Sequence, residues 1–187
     1  LLARVEALPG VERASLVRFG QLGFSFAQYQ VFTERRGDGQ TDEGISTGFN
    51  VVGPNYFKTM DTQLLRGRDF AETDRKGAPG VVVLNETLAM TLWPGEDALG
   101  KRVSVDGPDG PFLEVVGVAR NGKYRSLGEA PHPYIYQPLF QSCLLILLHG
   151  SPFTIELVLI IGLTDLGCHL ELIHGWGEDF TIRHLVM

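Results

Sequence analysis

Apolar positions along this chain repeat with two different periods, and the period switches several times before residue 141. Leu1-Leu2-x-x-Val5-x-x-Leu8 has helical spacing and stops at Pro9-Gly10, a helix terminator followed by a tight turn. Val11 to Phe19 predicts a strand with imperfect alternation, and Phe26 to Thr33 alternates more cleanly. Residues 35–44 offer nothing to bury and predict a solvated loop, with Gly and Asp supplying the turns. Ile45 to Val52 predicts a further strand, halted by Gly53-Pro54. Asn55 to Met60 then has room for a short helix in which Tyr56 and Phe57 form an aromatic anchor, and Leu64-Leu65 leads into a turn at Arg66-Gly67-Arg68.

The second half of the pattern is sharper. Val81-Val82-Val83-Leu84 is a continuous apolar run, as a strand buried on both faces requires. Asn85 is placed to cap a helix over Glu86 to Trp93, which Pro94-Gly95 ends. Lys101 to Asp106 alternates, Gly107-Pro108-Asp109-Gly110 makes a hairpin-type connection, and Phe112 to Ala119 returns. Tyr134 to Tyr136 predicts a last short strand before Pro138. Short helices separated by several strands define an α+β fold class. The expected core is Trp93, Tyr56, Phe57, Phe70, Val81 to Leu84 and Val115 to Val118, with Gly67, Gly95, Gly100 and Gly117 at turns or close approaches.

Composition changes the picture in two ways. The 187 residues are enough for one domain with a real core, and 44% apolar with 20% charged residues is ordinary for a globular chain. A net charge of −6 argues against a nucleic-acid partner, because neutralising phosphates needs a basic face. Near residue 141 the composition breaks. Of the 16 Lys and Arg residues only Arg183 lies beyond Ser142, whereas Cys143, Cys168 and all histidines except His132 do. The chain also opens on Leu1 in mid-helix, which suggests a piece of something longer whose targeting segment would be lost. The expected division is therefore 1–141 as a partial core domain and 142–187 as an atypical apolar tail, frameshifted or non-native.

Candidate chemistry is sparse. Gly95 to Arg102 has the spacing of a phosphate-binding loop except at its last position. Such a loop follows a strand and opens a helix, whereas here a helix precedes and a strand follows; Glu96 and Asp97 would also repel phosphate. Cys168, His169 and His174, with His184 further on, invite a metal reading, but a spacing of five is not one helical face and no second Cys pair supports it. Asp69, Glu72 and Asp74 lack the Gly and terminal Glu of a calcium loop and read as a solvated turn, and Asp106 and Asp109 belong to the hairpin. For nucleophilic catalysis the only histidine within 1–141 is His132, which sits between Pro131 and Pro133. Residues 143–166 are very apolar, but Pro152 and Glu156 would lie near the centre of any span, so core strands or a non-native tail are favoured over a membrane helix. No catalytic, cofactor-binding or metal residue is expected, and no cofactor.

An ordered series of short motifs carries a family resemblance. They are Leu8-Pro9-Gly10-Val11-Glu12, Val52-x-Pro54-x-Tyr56-Phe57-x-Thr59-Met60, Leu65-x-Gly67-Arg68-x-Phe70-x-x-x-Asp74 and Val82-Val83-Leu84-Asn85-Glu86-x-Leu88-Ala89. Trp93 to Arg102, Val115 to Gly122 and Tyr134-Ile135-Tyr136-Gln137-Pro138 continue it. Each piece alone is weak, but in this order they resemble the MacB-like periplasmic core domain of ABC transporter permeases of the FtsX/MacB type. The resemblance covers about three quarters of the chain and fails after Gln141, where the family's charged βαβ pattern does not resume.

The resemblance implies a porter-like βαβ subdomain, here incomplete, with an inserted β-rich subdomain. It implies a non-catalytic extracytoplasmic domain of an export permease on the periplasmic face of the cell membrane, relaying conformational change from a cytoplasmic ATPase. The implied partners are that ABC ATPase subunit or domain, reached indirectly through membrane helices, and a periplasmic adaptor or second permease copy. A stand-alone α+β interaction or ligand-binding module is the alternative that the residues leave open, and a hydrolase or metal enzyme built on the tail is the third.

Overall fold

A computed structural model describes residues 2–19, 28–34 and 44–141 in full, together with the backbone of Ala27, 156–163, 167–176 and 179–185. The expected loop over 35–43, Phe26, His149 and the apolar stretch 142–155 lie outside the described residues. The described elements run α1 (Leu2–Glu6), β1 (Val11–Val17), β2 (Ala27–Thr33), β3 (Ile45–Val52), α2 (Tyr56–Thr59), β4 (Leu64–Gly67), β5 (Val81–Asn85), α3 (Glu86–Leu92), β6 (Arg102–Ser104), β7 (Leu113–Ala119) and β8 (Tyr134–Pro138). Backbone strands β9 (Glu156–Leu163), β10 (Gly167–Trp176) and β11 (Asp179–Leu185) follow. This is the α+β class the pattern predicts. The strand at β4 is new: Leu64 to Gly67 pairs antiparallel with β7, where the sequence showed only the approach to a turn.

All the strands join one sheet, and part of it closes on itself. Strand β3 pairs with β2, β2 with β6, β6 with β7, β7 with β5 and β5 with β8, while β8 returns in parallel to β3. Every strand of this ring sends side chains to one core: Val31, Phe49 and Val51, Val82 and Leu84, Val103, Val115 and Val118, and Ile135. Leu88, Ala89 and Trp93 of α3 and its C-terminal turn fill the same core. The other face of β5 and β8 forms a second core, where Val81, Val83, Tyr134 and Tyr136 meet Tyr56 and Phe57 of α2, Phe70 and Tyr124. Strand alternation thus explains the unbroken run at 81–84: odd positions serve one core and even positions the other.

Strand β7 breaks that alternation once. Val82 pairs with Val115 but Val83 with Gly117, so Val116 is an extra residue and Val115 and Val118, three positions apart, can face the same core. The bulge explains why Val116 is only partly buried although the whole 115–118 run was expected in the core. Opposite it, Gly67 has φ +74° and pairs with Gly117. A Cβ at Gly117 would lie 2.6 Å from the Arg68 carbonyl oxygen, and one at Gly67 would lie 2.2 Å from that of Val116. Only glycine lets the two backbones approach this closely.

The expected hairpin connects β6 to β7, and α3 ends at Trp93 before the turn at Gly95. Trp93 is 5% exposed, with the Lys101 ammonium 5.0 Å from its ring centroid and itself paired to Glu96. At the far end of the fully described region, Gln141 closes the start of β5: its Oε1 accepts from Val81 N at 3.1 Å and its Nε2 donates to Pro79 O at 2.8 Å.

Removing the Trp93 indole should open a cavity in the ring core. Trp93→Ala is expected to lower unfolding free energy by about 3–5 kcal/mol, read from the midpoint of a urea titration. An unshifted midpoint would remove Trp93 from the core.

Candidate functional site

The most organised polar constellation is a joint between three segments far apart in sequence. Asn85, at the end of β5 and fully buried, uses its whole amide. Its Oδ1 accepts from Leu88 N, capping α3, and from Tyr134 N, each at 2.9 Å. Its Nδ2 donates to Asn121 Oδ1 and to the His132 carbonyl, each at 2.8 Å. Asn121 in turn receives Thr87 Oγ1 at 2.9 Å and Thr87 N at 3.2 Å, and gives its own N–H to Glu86 Oε1 at 3.0 Å. The start of α3, the loop after β7 and the start of β8 are therefore held by one network. An amide with every donor and acceptor satisfied can be buried without the desolvation cost of an unpaired one.

Aromatic rings extend the joint. Tyr124 stacks on Tyr134 with centroids 3.6 Å apart, and its hydroxyl oxygen accepts from the Tyr136 hydroxyl at 3.0 Å and from Gly122 N at 3.2 Å. The Tyr134 hydroxyl donates to Phe49 O at 3.2 Å across the sheet. Burial pushes all three phenols up, so each stays neutral and holds its bonds at physiological pH. Beyond Tyr124 the chain turns around Glu129, whose carboxylate accepts from Tyr124 N and Arg125 N. Desolvation raises the Glu129 carboxyl, but the N–H groups of Tyr124, Arg125 and Ser126 outweigh it and leave it lowered. This turn presents Leu127, 77% exposed, as the most solvent-open large apolar side chain among the described residues.

Among the fully described residues singled out for chemistry, the side chains and turns take part in contacts within the fold. Gly95 to Arg102 is the turn from α3 to β6, as the order of helix and strand in the sequence expects, with Asp97 paired to Arg66 at 2.9 Å and Glu96 to Lys101. His132 contributes its carbonyl to the joint and lays its ring edge-on to Tyr124 at 5.1 Å. In β10 and β11 only the backbone is described: the register sets His184 opposite Glu171 and His174 opposite Thr181. Among the described residues no group of three or more His, Cys, Asp or Glu could hold a metal, and no helix is long and apolar enough to cross a membrane.

One reading needs correction. Asp74 is not part of a solvated turn: it is 5% exposed and forms a two-pronged pair with Arg68, Nη1 to Oδ2 at 2.6 Å and Nη2 to Oδ1 at 2.9 Å. Its Oδ2 also accepts from Ala71 N at 2.8 Å, so the acid folds the loop back instead of facing water. The hydrogen bonds from Arg68 hold the Asp74 carboxyl below its ordinary range, while burial pushes that of Asp69 up. Asn85 was legible only as a helix cap and Asn121 only as a motif position. That the two meet needed the fold, although both stand in the family motifs.

The arrangement joins the start of α3, the loop after β7 and the start of β8 through bonded polar groups. The fold is that of known transporter outer domains. The structure is similar to the periplasmic region of MacB from Actinobacillus actinomycetemcomitans, with TM-score 0.57 and 19% identity over 88% of this chain and 63% of that one. It is also similar to the extracellular domain of the noncanonic ABC-type transporter YknZ from Gram-positive bacteria, with TM-score 0.54 and 16% identity over 88% of this chain and 71% of that one. In sequence the chain is 30% identical over 148 residues to the macrolide export ATP-binding/permease protein MacB of Wolinella succinogenes, which covers 75% of this chain and 22% of that relative.

The family model of the MacB-like periplasmic core domain matches residues 1–157, and the chain belongs to that family. It is an extracytoplasmic domain of the ABC transporter permease type, located on the periplasmic face of the cell membrane.

Because the folded Asp74 pKa lies below the 3.8 of a free Asp, its pair stabilises fully above that value and is lost as pH falls through and below it. Asp74→Asn should cost about 1–3 kcal/mol at neutral pH and flatten the acid limb of the stability profile. Urea titrations between pH 7 and pH 3 would show it; identical acid limbs for both proteins would refute the assignment.

Proposed function

We propose that this domain relays conformational change outside the membrane for an ABC-type export permease and does no chemistry of its own. One observation carries the reading: the Asn85 joint welds the β5–α3 corner, the loop after β7 and β8 into one body. A stiff body passes a displacement at one end to the other, whereas a loose one absorbs it in local rearrangement. The same reading supplies the partners. A cytoplasmic ATPase subunit or domain would drive the motion through membrane helices, and a periplasmic adaptor or a second permease copy would receive it. The basic, apolar turn bearing Lys123, Arg125 and Leu127 supports such an outward contact, being rigidly displayed by Glu129.

The domain boundary at Gln141 belongs to this proposal as well. Of the Lys and Arg residues only Arg183 lies beyond Gln141, and the Gln141 side chain ties the end of that region back to β5, while the family match runs on to residue 157. The segment after it is read as an atypical apolar extension of the core domain.

Loosening the joint should separate ATP consumption from its outcome. In the full-length permease with its ATPase, reconstituted in lipid vesicles, Asn121→Ser should leave ATP hydrolysis near the parent rate and lower substrate movement per ATP several-fold. Retained transport in a variant whose joint is shown open by amide hydrogen exchange would defeat the relay reading.

A further inference from the structure

The joint contains a reactive dipeptide that its structural role does not require to be reactive. The chain has asparagines at Asn50, Asn55, Asn85 and Asn121, and only Asn121 precedes a glycine. An Asn side-chain amide can be attacked by the backbone nitrogen of the next residue, and a following Gly opposes this least because it has no Cβ and the freest backbone. The nitrogen of Gly122, on losing its proton, would bond to Asn121 Cγ, and Nδ2 would leave with that proton as ammonia. Water then opens the five-membered imide at either carbonyl, giving aspartate or isoaspartate. The balance is one water in and one ammonia out, with no redox step.

We propose that Asn121–Gly122 is a self-modification site, held unreactive by the folded joint and released when the loop after β7 detaches from α3. Both reacting groups are restrained in the fold. The electrophile is fixed by three donors on Asn121 Oδ1, from Asn85 Nδ2, Thr87 Oγ1 and Thr87 N. The nucleophile is occupied, since Gly122 N donates to the Tyr124 hydroxyl at 3.2 Å. The Asn121 backbone on the near side is pinned by Glu86 Oε1 at 3.0 Å. A Cβ built on Gly122 would lie 3.2 Å from the Tyr124 ring, which shows how closely that ring covers the site. Cyclisation takes the Gly122 N–H from the Tyr124 hydroxyl and draws the side-chain amide onto that nitrogen, against the three bonds that hold its Oδ1.

The two products differ in what they do to the joint. Aspartate at 121 is still an acceptor and can keep the bonds from Asn85 and Thr87. Isoaspartate lengthens the backbone by one carbon between Asn121 and Gly122, and so separates the Glu86 contact from the Tyr124 contact. The lesion would therefore accumulate in chains that have opened, and would leave many of them unable to close.

The whole chain, incubated at neutral pH with and without urea at one temperature, tests this by peptide mapping of the amide-to-acid mass gain and by isoaspartate assay at position 121. The native chain is expected to convert many-fold more slowly than the unfolded one. Tyr124→Phe and Thr87→Val, each checked for folding by circular dichroism, should convert several-fold faster than the parent without urea, and Gly122→Ala in urea should be slow. Equal conversion of native and unfolded chains overturns the proposal, and so do folded Tyr124→Phe and Thr87→Val variants that both keep the parent rate. If either variant fails to fold, the native-against-unfolded comparison decides alone.

Discussion

The buried amide of Asn85 is the constraint on which the rest of the domain depends. It sits where β5 ends and α3 begins, between the ring core and the tyrosine-lined core, at a point no water reaches. Its four hydrogen bonds serve four separate demands: starting α3, seating β8, anchoring the His132 turn and gripping Asn121. Each such bond contributes only about 1 kcal/mol net, but an orphaned partner costs about 1–3 kcal/mol. The network is therefore cheap to keep and expensive to break, and its failure would be cooperative, not local.

Around that point the fold uses its charges in the same way. Arg68 and Asp74 close the loop between β4 and β5, Arg66 and Asp97 link β4 to the turn after α3, and Glu129 shapes the turn that carries Leu127. The exposed Arg66 pair adds little stability, as surface pairs generally do. The half-buried Arg68 pair is different in kind, because its acid is nearly out of water and has a backbone N–H to satisfy as well. Electrostatics here fix loops against a sheet, which suits a body that moves as a unit.

Much of this was legible before any coordinates. The strand at β3, the buried run at β5, the cap at Asn85, the β6–β7 hairpin and the burial of Trp93, Tyr56, Phe57 and Phe70 follow from period and capping chemistry that act over a few residues. What the pattern could not show depends on contacts distant in sequence. The parallel return of β8 onto β3, which closes the ring, joins positions with no local signal between them. The Val116 bulge is hidden because a run of valines looks alike in either register. Asp74 was misread because an acid in a polar loop is usually solvated, and only the fold places Arg68 beside it in two-pronged geometry. The candidate site was least legible: Asn85 and Asn121 are 36 residues apart, and nothing in either segment names the other.

Stiffness and chemical durability meet at the same residues. Two amides meeting at this corner tie several backbone segments together in a small volume, because an amide side chain can both donate and accept. The loop after β7 must also turn sharply beneath the Tyr124 ring, and the close cover over Gly122 favours a residue without a side chain there. Satisfying both demands puts an asparagine directly before a glycine, the pairing most open to cyclisation. The fold offsets that hazard with the bonds that make the joint rigid, so a single opening event loses the mechanical link and the chemical protection together. Any variation that relaxes the corner without unfolding it would expose the second consequence more plainly than the first, because cyclisation accumulates irreversibly while a brief mechanical opening leaves no trace.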